Sequence, residues 1–127
     1  MSSIPKTASK KPKTAPRLRT TPIFEEAYKK LNSAQKKAVD TIEGPVMVVA
    51  GPGTGKTQTL AMRVANILAK TQMRPSNILC LTYSTSGAKA MRERLRAIIG
   101  PDAYGITIET VHGFCNHIIL EHPHVFE

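Results

Sequence analysis

Residues 46–57 read VMVVAGPGTGKT. The first five, Val46 to Ala50, are apolar and mostly β-branched, the composition of a short buried strand. They run directly into a loop in which Gly51, Pro52, Gly53, Thr54 and Gly55 precede Lys56 and Thr57. A triphosphate needs several backbone N–H groups converging on it with no side chains in the way, and glycines alternating through a loop meet that need. A helix that begins near Gly55 aims its positive end at the same anion. Lys56 then extends along the β- and γ-phosphates as a point charge, and the Thr57 hydroxyl is one ligand of a Mg²⁺ ion. The pattern G-x-x-x-x-G-K-[ST] asks for glycine at position 50, where this chain has Ala50, the smallest step away. A surface turn followed by chance by Lys-Thr is the plainer reading. The strand pattern before the loop and the helical pattern after it favour a nucleotide site.

Outward from that loop, composition sets bounds. A chain of 127 residues is one domain or part of one, and 41% hydrophobic residues suffice for a packed core. The net charge of +9 is unevenly placed: residues 1–22 hold six of the 18 Lys and Arg and no Asp or Glu. That stretch, MSSIPKTASKKPKTAPRLRTTP, offers almost nothing to bury, so it is expected to be disordered, a solvated linker or a basic arm for nucleic-acid phosphates. Cys80 and Cys115 lie inside apolar patterns and read as buried, reduced thiols. No apolar run approaches the roughly 20 residues of a bilayer span, and the N-terminus lacks a signal-peptide core, so a soluble, cytoplasmic protein with no membrane partner is expected.

The periodicities give an alternating order. Phe24, Ala27, Tyr28 and Leu31 recur at helical spacing, and Asn32 with Gln35 three residues on resembles a capping box for a second helix lined by Ala38, Val39 and Ile42. Gly44-Pro45 ends it. After the loop, Leu60, Val64, Ile67 and Leu68 form the apolar stripe of a helix from about 55 to 70. ILCLTY, residues 78–83, reads as a parallel strand covered on both faces. Ser84 or Thr85 caps a helix that turns Ala88, Met91, Leu95 and Ile98 inward and its arginines outward. Gly100-Pro101 stops it, residues 106–110 form a third strand, and a helix from about Val111 to Glu121 ends before Pro123. Three strands alternating with helices, joined by right-handed crossovers, make an α/β fold with a short parallel sheet flanked by helices.

Several stretches together resemble the N-terminal part of superfamily 1 DNA helicases of the UvrD/Rep type, over Tyr28 to Glu127. LNSAQKKAV, residues 31–39, resembles the family's Q motif, and the resemblance implies that the Gln35 amide reads the adenine edge, since it offers a donor and an acceptor side by side. AGPGTGKT, residues 50–57, is similar to its Walker A loop, which often begins with alanine; Arg63 falls where the family commonly has an arginine near the nucleotide. ILCLTYSTSGAKAMRERL, residues 78–95, resembles motif Ia, which implies a DNA-phosphate contact from Thr82, Tyr83 and Ser84. Thr85 and Ser86 stand where the family usually has Asn and Lys. TVHGFC, residues 110–115, resembles the TFHSF element, in which Thr110 and His112 meet single-stranded DNA and Phe114 packs beneath or against a base. His117, His122 and His124 have no ligand partner at metal-site spacing and read as ordinary histidines; the outward arginines receive no site.

The resemblance implies a partial RecA-like P-loop domain spanning 23–127, ATP and Mg²⁺ as cofactors, single-stranded DNA as partner and 3′ to 5′ movement along it. The acidic DExx motif, the arginine finger and a second RecA-like domain are expected in the remainder of a longer helicase chain, so these residues alone are expected to hydrolyse no ATP. A helicase–nuclease fusion shares the same front end. The rival expectation is a non-catalytic ATP- or nucleic-acid-binding module complete at 127 residues.

Overall fold

The computed structural model describes residues 20–53 and 55–126. Most of the basic stretch, residues 1–19, and Thr54 of the loop lie outside them. Helix α1, Pro22–Lys29, opens on proline at its first position, with Thr21 as N-cap accepting from the Phe24 N–H at 3.1 Å. The same hydroxyl donates to the Ile98 carbonyl at 2.8 Å, so Thr21 and Pro22, read from sequence with the tail, begin the folded part. Helix α2, Ser33–Asp40, starts with the capping box its sequence promised: the Gln35 N–H donates to Asn32 Oδ1 and the Asn32 N–H to Gln35 Oε1, both at 2.9 Å. It stops at Asp40, ahead of Gly44-Pro45, leaving Ile42 half-buried outside the helix. Tyr28 joins α1 to the end of α2, its hydroxyl donating to the Asp40 carboxylate at 2.6 Å; that bond, helped by desolvation, holds the phenol above its ordinary pKa.

Helix α3, Lys56–Lys70, strand β1, Leu79–Thr82, helix α4, Thr85–Ile99, strand β2, Thr107–Thr110, and helix α5, Val111–Glu121, follow, with 3-10 turns at Pro75–Asn77, Gly100–Gly105 and Pro123–Val125. The fold is mixed α/β. The two strands are parallel, with Cys80 opposite Ile108 and Thr82 opposite Thr110. Helix α4 is the middle layer: it packs on the sheet on one side and on α3 on the other, and α1 and α2 close over α3. All four inward positions of α4 are buried, and Met91, Leu95 and Ile98 each contribute about 1.5–3 kcal/mol of apolar burial. Arg92 on its flank donates to the Ile108 carbonyl at 3.1 Å, fastening helix to strand. On α3 the buried face is Ala61, Met62, Val64, Ala65 and Leu68, while Leu60 turns out of the core. Asn66, also buried, donates to the Val39 carbonyl at 3.0 Å and locks α3 to α2.

Two expectations about strands are corrected. Residues 45–50 carry no regular secondary structure, and Met47 and Val49 are 88% and 86% exposed, so the described sheet has two strands where the sequence suggested three. β-branched composition reports a preference for a pleated, buried surface, but a strand also needs a neighbour for its backbone groups, and β1 and β2 pair with each other. Nor is β1 covered on both faces: Cys80 packs against α4, whereas Leu79 and Leu81 are about two-fifths exposed on the opposite face. The same lack of cover acts on α5, which buries none of its residues, so Cys115 is exposed where the sequence suggested a buried thiol. Cys80 is buried, and desolvation pushes its thiol pKa up.

Candidate nucleotide and nucleic-acid sites

The loop before α3 turns twice through left-handed backbone, at Gly53 with φ 71° and Gly55 with φ 76°. Side chains strongly disfavour that region, which is why glycine stands at both positions. Gly55 is the N-cap of α3, and no side chain caps the helix; its carbonyl instead accepts from both the N–H and the hydroxyl of Thr59. The first-turn amides of a 15-residue helix therefore face the loop, and its macrodipole favours an anion there. Lys56 and Thr57, the first two helical residues, are exposed.

Beside this turn lies a cleft of about 310 Å³ bordered by Gln35, Ala50, Lys56, Thr59, Leu60 and Arg63. Its charged described residues, Lys56 and Arg63, are both cations. The structure thus gathers Gln35, Ala50, Lys56 and Arg63 from the loop, α2 and α3; Gly51, Pro52, Gly53 and Gly55 form the exposed turn next to them, and Thr54 is outside the described residues. The exposed Thr57 hydroxyl is an oxygen donor of the kind that would hold a hard cation. Among the described residues no cluster of three His, Cys, Asp or Glu side chains could hold a metal by itself. Leu60, read from sequence as core, is a wall of this cleft. Its position in the first turns of α3, beside the loop, was the available signal.

A second cluster forms where both strands end. Thr82 hydrogen-bonds through its hydroxyl to the Ser84 carbonyl at 2.9 Å, and Ser84 caps α4 by accepting from the Gly87 N–H at 3.1 Å. Thr110 caps α5 by accepting from the Gly113 N–H at 3.0 Å. Tyr83 is 94% exposed and His112 is exposed, so an aromatic face and an imidazole stand free at the same end of the sheet; Phe114 is half-buried. The adjoining cleft, about 570 Å³, is bordered by Thr85, Lys89, Arg92, Glu109, Thr110 and His117. Sequence reading assigned no role to Lys89, Arg92 or His117. The spacing of Lys89 and Arg92 on α4 was the visible clue. His117, read as an ordinary histidine with no metal role, is exposed and lies 3.1 Å from the Glu109 carboxylate.

Two caps, two strand ends and a glycine turn before a helix thus recur in three dimensions as in the sequence, and the UvrD/REP helicase N-terminal domain profile matches residues 31–127. The chain belongs to the UvrD/REP helicase N-terminal domain family. Within it the chain is 42% identical over 97 residues to the ATP-dependent DNA helicase PcrA of Bacillus subtilis, covering 76% of this chain and 13% of that protein. It is 40% identical over 91 residues to the PcrA of Staphylococcus epidermidis, 72% of this chain and 12% of the relative. With the PcrA of Staphylococcus aureus the identity is 37% over 89 residues, again 12% of the relative. The chain spans about an eighth of the length of these UvrD/REP relatives. Among the described residues, no helix is long and apolar enough to cross a membrane.

Proposed function

We propose that residues 23–127 are the front part of the first RecA-like domain of an ATP-dependent DNA helicase that moves 3′ to 5′ on single-stranded DNA. In this reading the amides of residues 51–57 wrap the terminal phosphates of ATP, Lys56 neutralises their charge, Thr57 ligates Mg²⁺ and Arg63 adds positive potential from the cleft wall. Mg²⁺, if held there by the Thr57 hydroxyl, would supply positive charge to offset that of the phosphates. Gln35 contacts the base. Thr82, Tyr83, Ser84, Thr110 and His112 meet the DNA strand at the sheet end, by hydroxyl and amide contacts to phosphate and by stacking.

The observation that carries this reading is the pair of left-handed glycines, Gly53 and Gly55, leading into an uncapped α3 beside a cleft whose charged residues are cations. Such a turn directs backbone N–H groups at an anion without steric obstruction. Hydrolysis needs acidic and arginine groups that position water and stabilise charge on the γ-phosphate; these and the second RecA-like domain are assigned to the rest of a longer chain.

The test is titration of a fluorescent ATP analogue with Mg²⁺ onto the chain and its Lys56→Ala variant. Loss of a charge-assisted contact is expected to weaken binding by tenfold or more. Equal affinity in the two proteins would overturn the assignment of the loop.

A further inference from the structure

The cleft of about 570 Å³ between α4, β2 and α5 opens on the outer edge of β2. Thr107 donates its N–H to the Ile78 carbonyl at 3.2 Å, toward β1, so the alternate residues Ile108 and Thr110 turn their backbone groups the other way. Among the described residues no strand pairs with that side. An unpaired edge is open to strand addition, but here the Arg92 guanidinium already holds the Ile108 carbonyl at 3.1 Å. With that acceptor taken, the edge presents donors, the N–H groups of Ile108 and Thr110. An added peptide strand needs donors and acceptors in alternation, whereas an anion needs donors alone.

The side chains agree with the backbone. Lys89 and Arg92 stand about one turn apart on α4 and His117 borders the cleft from α5, three basic groups against the single carboxylate of Glu109. That carboxylate is paired with His117 at 3.1 Å, while Lys89 is exposed and belongs to neither ion pair among the described residues. Thr110 joins the cleft to the sheet end, where Tyr83 and His112 are exposed; its hydroxyl accepts from the Gly113 N–H and keeps its own proton to donate. We propose that this cleft seats a phosphate of the nucleic-acid strand as it leaves the sheet end, with Lys89 as the cation and the Ile108 and Thr110 N–H groups as donors. Arg92 adds positive potential while it fastens helix to strand, and Glu109 opposes binding. The inference rests on the DNA reading of the sheet end and extends that footprint past the stacking residues to the edge of β2.

The test titrates labelled oligo(dT) onto the 127-residue chain at a series of salt concentrations. Each phosphate neutralised on a single strand contributes about 0.7 to the slope of log affinity against log salt. Lys89→Ala is expected to reduce the slope by about that amount and to weaken binding about fivefold at low salt, whereas Tyr83→Ala weakens binding with the slope unchanged. Glu109→Gln keeps the shape, removes the opposing charge and is expected to tighten binding, a gain that a poorly folded chain cannot imitate. An oligoglutamate peptide is expected not to compete. An unchanged slope in Lys89→Ala, or no gain in Glu109→Gln, would overturn the proposal. Displacement of oligo(dT) by oligoglutamate in the wild type but not in Lys89→Ala would also overturn it and give the cleft to an acidic protein segment. Binding that depends on Tyr83 but not on Lys89 would remove this seat alone, whereas no oligo(dT) binding by the wild type would bring down the sheet-end reading and this proposal with it.

Discussion

Thr82 and Thr110 are register partners across the parallel ladder, each the last residue of its strand. Two segments far apart in sequence therefore leave the sheet side by side, with Tyr83 and His112 exposed just beyond. A stacking surface for unpaired bases follows from that placement, and it is sequence-tolerant because every base has a π-face. Tyr83→Ala and His112→Ala are each expected to weaken binding of a labelled oligo(dT), by about 1–3 kcal/mol where a base stacks on the lost ring. Because both residues are exposed, thermal midpoints should stay within a degree or two of wild type, about what a surface change of under 0.5 kcal/mol gives. Fluorescence anisotropy and circular dichroism check the two halves. Unchanged oligo(dT) affinity in both variants would remove the DNA face from the sheet end.

Asn66 carries a different kind of weight. Its amide is buried on α3 and satisfies the Val39 carbonyl at the core of the α2–α3 contact. Asn66→Ala removes the donor and leaves that carbonyl without its partner, so a loss of about 1–3 kcal/mol is expected. Urea unfolding measures it as a lower midpoint at constant slope. A midpoint equal to wild type would show that water reaches the Val39 carbonyl.

Much of this was legible in the sequence, for identifiable reasons. Local signals held where they were physically self-contained: the Asn32–Gln35 capping box, the α4 cap, which Ser84 rather than Thr85 provides, the inward row of α4 and the extent of α5 each depend on residues within a turn or two of one another. The signals that failed depended on a neighbour. Val46 to Ala50 has strand composition but no described strand beside it, Leu79 and Leu81 belong to a sheet face without cover, and Cys115 sits on a helix that buries nothing.

The two cysteines should separate cleanly. Burial raises the Cys80 thiol pKa and shields it, whereas Cys115 is exposed on α5, and only a thiolate attacks a disulfide reagent. With a chromogenic disulfide at pH 8, one thiol of the pair is expected to react at once and the second only as the chain unfolds. Cys115→Ser should delete the fast phase and leave the slow one. A fast phase that survives the substitution would mean that α4 opens from β1 on the timescale of labelling.

The loop itself offers the most direct test of why glycine precedes Lys56. At Gly55, with φ 76°, an added Cβ would meet, among the described residues, only Gln35 Nε2, at 3.4 Å, which is ordinary contact. Sterics with the surroundings are therefore not the obstacle; the backbone conformation is. An L-residue held in the left-handed region costs about 1–2 kcal/mol, and asparagine, whose short side chain hydrogen-bonds locally, tolerates it better than alanine. Stability should thus fall in the order glycine, asparagine, alanine at position 55. Because the strain is relieved by moving the turn away from the helix end, nucleotide affinity should fall in the same order and further than stability. Urea midpoints and ATP-analogue titrations on the three proteins give the two series. If alanine lowered the midpoint while leaving affinity intact, the left-handed turn would be a folding device alone, and the amides that hold phosphate would have to lie entirely within α3.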